Sequence, residues 1–142
     1  MNIMHLLFSF EGRIRRLHYW LAAISLGVIE VVIISVVGAL LAGAAMSNPN
    51  NAGAATGALM AMMPIYFVVL LIFMWPTLAL GVKRCHDRDK TGWFLLIGLI
   101  PLIGAIWLLI DLGFLDGTQG PNKYGPSPKG IGASAATPAA AG

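Results

Sequence analysis

Long apolar runs separated by short polar punctuation define the chain. Residues 19–46 contain one ionisable carboxylate, Glu30, and residues 59–82 and 93–110 contain no charged side chain. A hydrocarbon core of about 30 Å takes about 20 apolar residues in a helix. The pattern therefore predicts three transmembrane helices, at about 19–46, 59–82 and 93–110. The first is longer than a crossing needs and the third is near the lower limit. Before them, Phe8 and Phe10 alternate with Ser9 and Glu11 and lead to Arg13, Arg15 and Arg16, which predicts a segment lying in the headgroup zone. Tyr19 and Trp20 form an interfacial aromatic pair.

Local breakers refine this outline. Pro64 and Pro76 each remove a backbone donor and should kink the second helix. Gly98, Pro101 and Gly104 cluster at the centre of the third run, which is read as a kinked crossing in preference to the tip of a re-entrant hairpin. Residues 47–58 form an uncharged, turn-rich loop. From Asp111 the chain is a tail, with turn formers over 116–128 and a low-complexity, disordered end at 129–142. The expected fold is an all-α integral membrane protein with one polytopic domain over 8–128.

Composition strengthens the membrane reading. Of 142 residues, 58% are hydrophobic and 11% charged, where a soluble domain carries roughly 25% charged. Mean hydropathy is +0.80. The net charge of +3 is gathered in clusters: Arg13, Arg15 and Arg16 before the first run, and four basic residues at 83–90, with none at 47–58. The positive-inside rule then places the N-terminus and the 83–92 loop in the cytoplasm. Parity sends the tail outside if the third run crosses, and inside if it is re-entrant. A secretory signal is disfavoured, although Ala42-Gly43-Ala44 resembles a cleavage site, because the first run is too long and contains Glu30. Cys85 is the single cysteine, so no internal disulfide can form.

The densest chemistry lies at 83–92, Lys-Arg-Cys-His-Asp-Arg-Asp-Lys-Thr-Gly, which holds six of the 15 charged residues (9 basic, 6 acidic). Arg84 can hold a phosphate, and His86 beside Asp87 can move a proton. Consecutive Cys85, His86 and Asp87 do not have metal-ligand spacing and no second cluster completes a site, so no metal and no cofactor are expected. The same geometry argues against a Cys-His nucleophile pair. A purely structural account has Asp87 and Asp89 pairing with Arg84, Arg88 or Lys90, and Thr91 or Asp89 capping the next helix. Glu30 is the intramembrane polar residue, on a helical face with Gly27, Ile34 and Gly38, where such groups mark function or lock helices together. Trp75 and Thr77 lie nearest to it in expected depth. Ser35, Ala39 and Gly43, and Gly38 with Ala42, give the small-xxx-small spacing of close helix contact. Arg13 and Arg16, three apart beside Trp20, suit phosphate contact; Asn122, Lys123 and Tyr124 lie in a turn that sets Tyr124 against the membrane interface. Nothing supports nucleic-acid binding.

Three segments together carry a family resemblance: Phe10-Glu11-Gly12-Arg13-Ile14-Arg15-Arg16 leading to Tyr19-Trp20, Arg84-Cys85-His86-Asp87 leading to Thr91-Gly92-Trp93, and Asn122-Lys123-Tyr124-Gly125-Pro126. In that order around three apolar runs they resemble the bacterial "domain of unknown function 805" family of YhaH-like proteins, over about residues 8–128. The resemblance implies a small, multi-pass inner-membrane protein and supplies no activity. Thr91 stands where the family more often has Ser, and Asp89 where it has a small residue or Asn.

The expected function is a non-enzymatic module that binds phospholipid headgroups or a partner, a second copy or another membrane protein, through Arg13, Arg16, Arg84, His86, Asp87, Asn122 and Tyr124. The alternative is an oligomeric carrier or channel subunit for a proton-coupled or anionic solute, using Glu30. An enzyme acting on a lipid-linked substrate through His86 and Asp87 lacks a nameable nucleophile or oxyanion stabiliser.

Overall fold

The computed structural model describes residues 2–47 and 53–132, and these are helical apart from turns and one isolated bridge between Asn122 and Gly125. A short helix α1 (Ile3–Phe8) is followed by α2 (Arg16–Met46) and α3 (Ala54–Asp87). A 3-10 segment (Gly92–Leu99), helix α4 (Ile103–Leu108) and a π-helical turn (Leu109–Phe114) complete the order. α2 and α3 are long and apolar enough to cross a membrane. At about 1.5 Å per residue, their 31 and 34 residues are each longer than the roughly 30 Å that a span needs. Pro64 and Pro76 both lie within α3.

The chain divides into two compact units, residues 24–76 and residues 1–23 with 77–142. In the first, the half-buried positions of α2 recur at Gly27, Glu30, Ile34, Gly38 and Leu41, a helical stripe. Gly38 faces the Met62 side chain of α3, at 3.6 Å from a would-be Cβ. Ser35, Ala39 and Gly43 are exposed on the other side, so this chain's own packing uses one small-residue row and leaves the second open.

The second unit holds the charged chemistry. Asn2 caps α1, its side chain accepting from the Met4 amide at 3.1 Å. At the other end the buried Lys83 ammonium donates to the carbonyls of His5, which also accepts from the Ser9 amide, and Leu6, adding a donor where a helix C-terminus is short of them. The expected third crossing at 93–110 is not a continuous helix. Ile100, preceding Pro101, is extended (ψ 112°), as the proline ring requires of its neighbour. Leu102 has φ 62° and ψ −61°, and the Ile103 amide donates to the Pro101 carbonyl at 2.7 Å. This is a strained, positive-φ γ-turn. The chain then doubles back so tightly that a Cβ on Gly104 would sit 1.8 Å from the Ile97 carbonyl oxygen. The outgoing arm runs beside the end of α3, with Gly92 against Val82 and Leu95 against Gly81. The returning arm ends beside the start of α2, where the Trp20 indole donates to the Gly113 carbonyl at 3.1 Å and Trp20 meets Phe114 edge-on.

The expected tail from Asp111 is corrected for its first part: Asp111, Leu112 and Gly113 are buried in the π-helical turn. Residues 115–132 are turn-rich and tied to the rest of this unit by the bonds described below. Of the expected disordered end, residues 133–142 lie outside the described residues.

Candidate functional site: a buried arginine–aspartate knot beneath a basic cleft

Asp87 is the centre of the site. It ends α3, where its own backbone carbonyl has no helical partner and accepts instead from the Thr118 amide (2.8 Å) and hydroxyl (3.1 Å). One carboxylate oxygen receives Nε and Nη2 of Arg13, at 3.1 and 3.0 Å; the other receives Nη1 of Arg84. All three side chains are at most 5% exposed. Two guanidinium groups against one carboxylate leave a net positive charge inside, and carbonyl dipoles offset it. Arg84 donates Nε to the Leu112 carbonyl at 2.6 Å and Nη2 to that of Leu115. Arg13 reaches the carbonyls of Gly120 (2.8 Å), Thr118 (2.8 Å) and Gly125 (3.2 Å), and the Thr118 hydroxyl. The fork of five donors on a guanidinium makes such multiple capture possible, which lysine could not replicate. Gly117 is required by the same closeness, because a Cβ there would fall 1.9 Å from Asp87 Oδ2.

Asn122 and His86 extend the knot. The Asn122 amide donates to the His86 carbonyl (2.8 Å) and the Thr118 hydroxyl (2.9 Å), while its oxygen accepts from the Tyr124 amide. The Tyr124 ring stacks on the His86 ring with centroids 3.8 Å apart and planes 9° apart. His86 Nδ1 lies 3.3 Å from the Gly12 carbonyl; a carbonyl only accepts, so Nδ1 carries the proton there. Tyr124 thus meets a histidine where the sequence pointed to the membrane interface. Cys85 is fully buried.

A second ion cluster stands at the base of the hairpin. Arg88 and Lys90 both donate to Asp111 Oδ1, at 2.9 and 2.7 Å, and Lys90 lies 3.9 Å over the Phe94 ring. Local pairing therefore holds for Asp87 with Arg84, whereas Arg88 and Lys90 choose Asp111, and Asp89 faces Lys123 at 3.9 Å. Thr91 occupies the N-cap of the 3-10 segment without a side-chain capping bond. Arg16 donates to the Phe114 carbonyl and pairs with Asp116, both partly exposed.

The anticipated residues from three distant segments thus converge, though differently from expectation. Arg13, Arg84 and Asp87 face inward; α2 begins only at Arg16, so Arg13 and Arg16 do not share a helical face. What faces outward is a cleft of about 510 Å³ bounded by Gly12–Arg15, His18, Tyr124 and Pro126–Pro128. Arg15 and His18 are exposed on it, and Arg15 also donates Nε to the Pro128 carbonyl. Neither was singled out from sequence, although their spacing of three at the start of a long apolar run was visible. Glu30 lies apart, in the unit of residues 24–76, half-buried on the stripe anticipated for it.

Comparison with known proteins sets this arrangement in context. Residues 7–126 match the profile of the family described as protein of unknown function (DUF805). Escherichia coli K12 has three similar proteins. The uncharacterized protein YiiR is 31% identical, covering 88% of this chain and 89% of its own. The inner membrane proteins YhaH and YhaI are 31% and 32% identical, covering 85% of this chain and 88% and 86% of theirs. No solved structure matches. With two helices long and apolar enough to cross a membrane, this chain belongs to the DUF805 family, whose function is unknown.

Proposed function

We propose that the protein is a non-enzymatic inner-membrane module that holds the phosphate of an anionic phospholipid headgroup in the cleft at the start of α2. The observation that carries this reading is the charge at that helix end. The first turn of α2 contains no acidic residue, and Arg15 and His18 line the cleft there. Free helical amides, the positive end of the helix dipole and two basic side chains all favour an anion. The knot beneath supplies rigidity, since Arg13 joins the Asp87 carboxylate to the carbonyls of Thr118, Gly120 and Gly125. In this reading α2 and α3 both cross, with the N-terminus and the 83–92 loop cytoplasmic.

The test is lipid retention. Native mass spectrometry of the purified protein should show bound phosphatidylglycerol, and the double variant Arg15→Ala/His18→Ala should lose it several-fold while phosphatidylethanolamine is unaffected. Equal retention of phosphatidylglycerol by both proteins would remove the headgroup reading. A carrier role using Glu30 is favoured by one observation: its carboxylate stands half-buried on the packed stripe of α2, where an ionisable group is costly in a span. In that case Glu30→Gln should abolish the knockout-complementing activity that the double variant leaves intact.

A further inference from the structure

We infer that residues 92–114 are a re-entrant hairpin whose apolar surface is solvated by the acyl chains of the cytoplasmic leaflet only. Three observations carry it. The first is length. Eight residues of 3-10 helix rise about 16 Å at roughly 2.0 Å each, and the return over Ile103–Phe114 rises at most about 18 Å. Each arm reaches about halfway through a 30 Å core.

The second is that both ends belong to one polar layer. Lys90, just before the outgoing arm, pairs with Asp111 near the end of the returning arm at 2.7 Å. Arg84 binds the carbonyls of Leu112 and Leu115. The outgoing arm also turns back alongside Val82 and Gly81 of α3, towards the apolar part of that helix.

The third is surface chemistry. Trp93, Leu99, Leu102 and Ile103 are 69–79% exposed, and no charged residue stands between Gly92 and Ile110. Water is a poor solvent for such a surface, whereas hydrocarbon accepts it. The backbone at the tip satisfies part of its own demand through bonds from Ile100, Ile103 and Gly104 amides to local carbonyls, as irregular backbone at membrane depth must.

The inference rests on α2 and α3 crossing but not on headgroup binding, and its test separates the two. Single cysteines are placed at the exposed positions Ser47, Asp89 and Lys123, with buried Cys85 retained, and an impermeant maleimide is applied to spheroplasts and to inverted vesicles. Ser47→Cys should label only from outside, and Asp89→Cys and Lys123→Cys only from inside. A nitroxide at Leu102 should collide with oxygen far more than with a water-soluble nickel chelate. Labelling of Lys123→Cys from the side opposite Asp89→Cys would show a crossing and overturn the hairpin. Free collision of the Leu102 label with the nickel chelate would overturn its insertion. Should Ser47→Cys and Asp89→Cys label from the same side, the two-pass frame itself fails. A reporter fused to the C-terminus reads the same sidedness without any internal substitution.

Discussion

At the scale of single residues, Arg13, Arg84 and Asp87 hold their charges where solvent does not reach them. A buried pair that loses one member leaves an uncompensated charge, at a cost of about 3–5 kcal/mol. Asp87→Asn and Arg13→Ala should therefore each depress the unfolding midpoint in detergent sharply. Arg16→Ala, at an exposed pair with Asp116, should cost only about 0–1 kcal/mol. Gly117→Ala should resemble Asp87→Asn, because its methyl group would displace the carboxylate. Gly57→Ala, in helix α3 with nothing within 4 Å, should be neutral or slightly stabilising. Similar losses for Gly117→Ala and Gly57→Ala would contradict the packing described. Asp116 is held below the usual carboxylate range, first by its hydrogen bond from Lys129 and further by Arg16. The stabilisation is complete above the unfolded-chain value and fades as pH falls through the lowered one, so proteolysis of the 116–130 segment should not differ between pH 6 and 8.

At the scale of elements, the long apolar runs located α2 and α3 to within about five residues at each end, and the basic residues flanking them marked the segments that meet. The third run was harder for a physical reason. A half-depth arm and a full crossing have the same composition, since both are solvated by hydrocarbon, and only the Gly98–Pro101–Gly104 cluster differs. Nor does a sequence reveal which way an arginine points: at the membrane edge, one that reaches lipid and one that gathers carbonyls look alike. The turn itself offers a test. Leu102→Gly relieves a sparsely populated positive-φ conformation that costs a side-chain-bearing residue about 1–3 kcal/mol and should raise the midpoint, whereas Gly104→Ala should lower it by forcing the two arms apart. A lowered midpoint for Leu102→Gly would mean that its exposed side chain contributes more than the backbone strain.

At the scale of the whole molecule, a basic cleft lies above a buried ionic support. The polar residues Arg13, Arg84, Asp87 and Asn122 build the support, and the exposed basic groups on the cleft are few: Arg15 and His18. Cys85 offers an independent check on that support. With no exposure, its thiol should resist maleimide in the folded protein and react fully once denatured. Rapid labelling of the native protein would show that the end of α3 opens.

The knot also constrains how the protein can be made. Asp87 and Arg13 leave the ribosome early, but the carbonyls that complete Arg84 and Arg13 belong to Leu112, Leu115, Thr118, Gly120 and Gly125. Both long helices are therefore synthesised while two arginines still lack most of their acceptors. Through that interval the two arginine charges are incompletely compensated, which destabilises the incomplete chain. A chain stopped after Ile110 keeps both long helices and the whole 83–92 loop yet never leaves this state, so its pulse-chase half-life should be far shorter than that of the full-length protein.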